Sequence, residues 1–198
     1  MLTVRYIERL WDAERYDRLL KELIAPRVEA VAVGELTHNS RASAAALALV
    51  RLDELHSPHA PICGRLIRTL ISMQKSDGGW GDVATTALCV RALSLQNGQG
   101  LAIEGGMGYL AALQQPAGIW PKLPIRRMPE DALVSAFTIL QLGDNDLFRA
   151  AVRIDAAFAW FDSHRWVLEP AALSLWDHAR LRVPAIPTTR AVAEPSWS

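Results

Sequence analysis

The chain reads as a succession of helical segments set apart by proline and glycine. Tyr6, Leu10, Trp11, Tyr16, Leu19, Leu20 and Leu23 recur near helical spacing with charges between them, predicting a helix over 4–24 that Pro26 ends. Residues 27–37 are ambiguous: Val28, Val31 and Val33 are β-branched, Gly34 breaks the run, and either a linker or a short helix fits. Asn39 and Ser40 offer an N-cap to an Ala- and Leu-rich helix over 42–55. After Pro58 and Pro61, a helix over 62–74 puts Leu66, Leu70 and Met73 on one face. Helices are then predicted over 83–95, stopped by Asn97-Gly98, and over 105–115. The insertion 121–129 holds three prolines. Pro129 suits the first position of a helix over 130–142, with Glu130 and Asp131 facing its dipole and Gly143 at its end. A helix over 147–161 follows, Pro170 opens the last one over 171–181, and residues 183–198 read as a flexible Pro-containing tail.

These helices are of two kinds. Those over 42–55, 83–95, 130–142 and 171–181 are small and apolar nearly all round, whereas 4–24, 62–74, 105–115 and 147–161 are amphipathic. A helix apolar all round has to be buried, and an amphipathic one can cover it. Regular alternation of the two predicts an all-α fold, a double-layered ring or arc of about four helical hairpins. It forms a single domain over 1–182.

A repeat supports the same architecture. Gln74, Gly78 and Trp80 return forty residues later as Gln114, Gly118 and Trp120. The two units resemble the glutamine–tryptophan repeats of squalene–hopene cyclase and other terpenoid cyclases, whose α/α toroid is shared by protein prenyltransferase β subunits. The resemblance covers about Ala42 to Leu181 and implies a toroid or partial toroid. It implies that the glutamine ties the end of an outer helix to the start of the next inner one, with the tryptophan packed over it. Physically, a buried amide can satisfy orphan groups at helix ends, and an indole can keep water from it.

The resemblance also implies chemistry that the residues only partly match. Class II cyclases protonate their substrate with the middle acid of an Asp-x-Asp-Asp-Thr-Ala run at the start of an inner helix. Here the run is Asp82-Val83-Ala84-Thr85-Thr86-Ala87, with Ala84 where the donor belongs. Alanine has no proton to give. Glu130 and Asp131 open the next inner-type helix and are the candidate displaced acids. The prenyltransferase zinc pattern, Asp-x-Cys, does not occur at Cys63 or Cys89. The expected function is therefore a non-catalytic or accessory toroid-type module that binds an apolar small molecule or a partner protein at its inner-helix face. The alternative is a terpenoid cyclase- or prenyltransferase-like enzyme acting on an isoprenoid, with Glu130 or Asp131 as acid. Fold analogy does not carry activity once the donor is lost.

Composition narrows the partners. Lys plus Arg and Asp plus Glu both number 21, so the formal net charge is zero and nothing points to nucleic acid. Cys63 and Cys89 are too few for a disulfide framework and fit a reducing compartment. Residues 1–10 carry Arg5, Glu8 and Arg9 rather than a signal's apolar run, and the apolar stretch 44–50 stops at Arg51. The expectation is a cytoplasmic protein without a membrane span, open to homo- or hetero-oligomerisation.

Other candidate chemistry is sparse. His56, His59 and Cys63 have spacing suited to a metal, but no fourth ligand is near, so neither metal nor cofactor is expected. The glycine run from Gly98 to Gly108 follows a helix rather than a strand and reads as a flexible connection, not a phosphate loop. Arg126 and Arg127 are candidates for holding a diphosphate or carboxylate. Trp80, Trp120 and Trp166 are assigned to turns, Trp11 and Trp160 to amphipathic helices and Trp197 to the tail. That leaves Trp176 as the candidate wall of a ligand pocket.

Overall fold

In the computed structural model the described residues are 33–56, 61–96, 99–122 and 129–183. The expected helix over 4–24, the Asn97-Gly98 stop, His59, Arg126, Arg127 and nearly all of the tail lie outside them. The described residues form eight α-helices: α1 (Val33–Glu54), α2 (Pro61–Met73), α3 (Val83–Ser94), α4 (Gly100–Leu113), α5 (Ala132–Leu142), α6 (Asp146–Ala151), α7 (Ile154–His164) and α8 (Pro170–Arg182). No strand occurs among them; Pro121 and Glu130 form an isolated antiparallel bridge. The fold is all-α, as the helical periodicity predicts.

The four apolar-type helices pack in succession, α1 on α3, α3 on α5 and α5 on α8, while α2 lies on α1 and α4 on α3. Burial follows that order. Every residue of α3 except Arg91 and Ser94 is buried, and α5 is buried from Val134 to Leu142. At the end of the row α8 buries only Ala172, Leu175, Trp176 and Ala179. That is a single stripe at i, i+3, i+4 and i+7, not the all-round burial predicted for it. Its far side has no further apolar-type helix to meet among the described residues.

The two repeat units share one hydrogen-bond plan. Trp80 and Trp120 are both wholly buried. Trp80 Nε1 donates to the Leu70 carbonyl and Trp120 Nε1 to the Leu110 carbonyl, each at 2.8 Å. Gln74 Nε2 donates to the Gly78 carbonyl at 2.8 Å, and Gln114 Nε2 to the Gly118 carbonyl at 2.9 Å. Each glutamine then reaches onward. Gln74 Nε2 also donates to Ala102 O in the first turn of α4 (2.8 Å), while Gln114 Oε1 accepts from Arg153 N just before α7 (2.8 Å). The glutamine thus ties one amphipathic-type helix to the next, not to the apolar-type helix that the family resemblance implies. The link to the apolar-type helix is a hydroxyl: Thr86 Oγ1 accepts from Trp80 N at 3.0 Å, and Ser135 Oγ accepts from Trp120 N at 2.9 Å.

Several helix boundaries depart from the sequence pattern for identifiable reasons. Helix α1 contains Val33 and Gly34, so Gly34 does not break it, and Asn39 and Ser40 lie within it instead of at its start. Burial of Ala42, Ala46 and Leu49 against α3 outweighs the small propensity cost of one glycine. The glycine-rich run is no flexible link but most of α4. A Cβ at Gly106 would lie 2.4 Å from Val90 Cγ2, so glycine is what lets α4 close on α3. The predicted helix over 147–161 is two, α6 and α7, parted at Val152 and Arg153. There the Arg153 amide bonds Gln114 instead of continuing the helical ladder. Pro129 is not a first helical residue; Asp131 is the N-cap of α5, and Glu130 lies in the bridge before it. Trp166, assigned to a third such turn, is 90% exposed in the short 3₁₀ turn Arg165–Val167, where no glutamine or glycine closes the chain over it.

Candidate functional site

Two regions of the apolar-type helices carry polar groups. The first is the N-terminal rim of α3 and α5. Asp82 Oδ1 accepts from Thr85 N at 2.9 Å, and Asp131 Oδ1 accepts from Val134 N at 2.9 Å. Both carboxylates are N-caps that satisfy an orphan amide. The two acids are therefore one position of the repeat, as are Thr86 and Ser135, their offset enlarged by the insertion 121–129. At Asp82 the network runs deeper: Thr85 Oγ1 donates to Asp82 Oδ2 at 2.9 Å and, its one proton being spent, accepts from Ser43 at 3.4 Å. Of the proposed acids, Glu130 is exposed and Asp131 partly exposed. Ala84, in the donor position of the cyclase run, is buried in the core.

Close to this rim is Cys89, fully buried, whose thiol pKa is pushed well up, chiefly by burial and secondly by the negative charge of Asp82. The sign of the consequence is fixed. An unfolded chain loses the thiol proton near its ordinary value of 9.0, while the folded chain keeps it. Stability contributed by the neutral thiol is complete below that pH and is lost as pH rises through the interval up to the folded value. Between pH 9 and 10, wild type should lose about 1 kcal/mol more than Cys89→Ala does. Urea midpoints for the two proteins across that range measure the difference.

The second region lies at the C-terminal ends of the same helices. Leu47, Val50, Arg51 and Glu54 of α1, Leu88 and Arg91 of α3, and Gln141 of α5 line a small, partly open cleft with room for about one water. Arg51 Nη1 pairs with Glu54 Oε2 at 2.9 Å, and Arg91 Nη1 donates to Gln141 Oε1 at 3.1 Å. That bond sets which way the amide points. Gln141 Nε2 is buried and has no hydrogen-bond partner among the described residues. A buried unpaired amide donor costs about 1–3 kcal/mol unless something supplies an acceptor.

Among the described residues, the candidate Trp176 is wholly buried, stacked on Phe161 at 4.2 Å and edge-on to Phe158 at 4.7 Å. His56 is exposed at the end of α1 with φ 55°, and Cys63 is buried in α2. No group of three or more metal-ligating side chains occurs among the described residues. None of the helices described is long and apolar enough to cross a membrane. The cleft residues were not among the sequence candidates, although a signal existed. Arg51, Arg91 and Gln141 are polar residues near the ends of otherwise apolar helices, where a buried polar group calls for a partner.

Comparison with known proteins identifies no relative: no family model matches the chain, and no curated protein or solved structure shows significant similarity to it.

Proposed function

We propose that this chain is a non-catalytic, toroid-type helical-repeat module whose inner-helix face binds an apolar small molecule. The observation that carries this reading is the cleft between α1, α3 and α5. It joins an apolar wall of Leu47, Val50 and Leu88 to a buried amide donor that lacks an acceptor. Small-molecule sites characteristically combine a mostly apolar lining with a few placed polar groups. The non-catalytic part rests on the rim. Asp82 and Asp131 spend a carboxylate oxygen on a helix cap, and Ala84 stands where proton donation would be needed.

Native mass spectrometry of the purified full chain tests the proposal. The expected spectrum contains a non-covalent adduct of a few hundred daltons that disappears under denaturing solvent. Bare polypeptide, together with no thermal shift from decanol or decanoate, would sink the proposal. Conversion of an isoprenoid substrate that vanishes in both Glu130→Gln and Asp131→Asn but survives Asp82→Asn would install the enzyme reading in its place.

A further inference from the structure

We propose that the end of the fold where the apolar-type helices finish is a docking surface for a second copy of this chain. Helices α1, α3, α5 and α8 pack in succession, and three observations put their C-terminal ends at one level. Arg91 Nη1, near the end of α3, reaches Gln141 Oε1 at the end of α5. Arg182, the last residue of α8, pairs with Asp144 just beyond α5 at 3.4 Å. Glu54, the last residue of α1, borders the same cleft as Arg91 and Gln141. Each of the four helices has an exposed leucine at or just beyond that end. Leu55 follows α1, Leu95 caps α3, Leu147 lies shortly after α5 at the start of α6, and Leu181 is in the last turn of α8. They are 56%, 38%, 64% and 86% exposed. A single exposed leucine is ordinary. Four at corresponding places on a row of packed helices form an apolar band, and such bands mark contact surfaces. Charge and spacing select the occupant. The ion pairs bordering the band, Arg51 with Glu54, Arg149 with Asp146 and Arg182 with Asp144, close within the chain, whose formal net charge is zero. The band therefore offers little to a strongly charged partner and meets a copy of itself without net repulsion. Packed helices stand about 8–10 Å apart, so the leucines recur at near-equal steps. Turned about a two-fold axis, such a row faces itself in reverse order, Leu55 meeting Leu181 of the partner subunit and Leu95 meeting Leu147 of the partner subunit.

Sedimentation velocity of the full chain over a range of concentrations tests the proposal. Wild type is expected to pass from monomer to dimer as concentration rises. Leu147→Asp and Leu181→Asp should each weaken dimerisation by at least about a hundredfold, because each change enters a two-fold interface twice. Both side chains are mostly exposed in the monomer, so both variants should fold as wild type does. Trp166→Ser is the control. Trp166 is 90% exposed but lies in the turn before α8 begins, at the opposite end of the row, and its loss should leave the dimer unchanged. Cross-linking checks the order of the pairing. Cys63 and Cys89 are buried, so a short bis-maleimide should link a mixture of Leu55→Cys and Leu181→Cys chains and neither variant alone. A single monomer boundary at the highest concentration, a dimer indifferent to both leucine substitutions, or equal loss in Trp166→Ser would overturn the proposal. Linking within one variant as readily as in the mixture would overturn the two-fold pairing. A monomer that co-sediments with phosphatidylcholine vesicles, and stops doing so in Leu147→Asp and Leu181→Asp, would assign the band to a bilayer instead of a second copy.

Discussion

Trp120→Ala is expected to lower the stability of this protein by about 3–5 kcal/mol, the range for removing a fully packed large aromatic. Trp120 is wholly buried, lies 6.0 Å from Phe148 in a near-parallel stack (22°), and donates its indole proton to Leu110 O. Deletion therefore removes the core of the turn together with its tie to α4. Trp120→Phe separates the contributions: it keeps most of the ring but not the N–H, and should cost roughly a third of the alanine effect, since Leu110 O still accepts from Gln114 N at 3.1 Å. Chemical denaturation of the three proteins decides it. A midpoint unchanged in Trp120→Ala would mean that the turn does not hold the fold together.

Gly118→Ala should be nearly as damaging, although it adds a single methyl group. Gly118 has φ 84°, a region that L-residues enter at a cost of about 1–2 kcal/mol. The added Cβ would also lie 2.2 Å from Ala157 N and 2.7 Å from Ala156 C, which are backbone atoms of α7 and cannot rotate away. Overpacking commonly costs about 1–3 kcal/mol, so the combined loss should be about 2–5 kcal/mol. Gly78 is its counterpart, with φ 86° and a would-be Cβ 2.4 Å from Gly105 O of α4. The same substitution there should behave alike. Gly108→Ala is the control: a Cβ there would meet no atom within 4 Å, and the residue sits within a helix, so alanine should be neutral or stabilising. Melting temperatures in the order Gly108→Ala, wild type, Gly118→Ala, from high to low, are the expected outcome.

Together these glycines show how the hairpins are joined. Each turn glycine abuts the backbone of the next amphipathic-type helix, and each turn glutamine reaches the start of that same helix. Contact between successive amphipathic-type helices is therefore built from backbone and amide. The indole, in contrast, closes its own hairpin, and the Thr86 and Ser135 hydroxyls bring in the apolar-type helix.

The helical class was legible because periodicity is local: the face of a helix is set by residues three and four apart, all within one segment. The shared offset of Gln, Gly and Trp was equally legible, since three unlike residues recur together at a spacing of forty. The equivalence of Asp82 with Asp131 was hidden. The insertion 121–129 shifts the cap and the hydroxyl away from the tryptophan in the second unit, and only the structure shows both acids bonding the amide three residues on. The cleft was hidden for another reason. Its lining comes from three helices separated by dozens of residues, and nothing in the spacing of Arg51, Arg91 and Gln141 announces that they converge.

By itself the sequence determined an all-α chain, its alternating helix types and the chemistry of its turns, because each of these depends on neighbours a few residues away. Tertiary structure decided that the helix predicted over 105–115 takes in residues 100–104 as well, since Gly106 lets it approach α3 closely and a glycine-rich run by itself favours coil. It also decided that α6 and α7 part at Arg153, because a glutamine 39 residues away competes for that amide. And it decided that Gln141 keeps an unspent donor, since whether a polar atom is satisfied depends on every element packed around it.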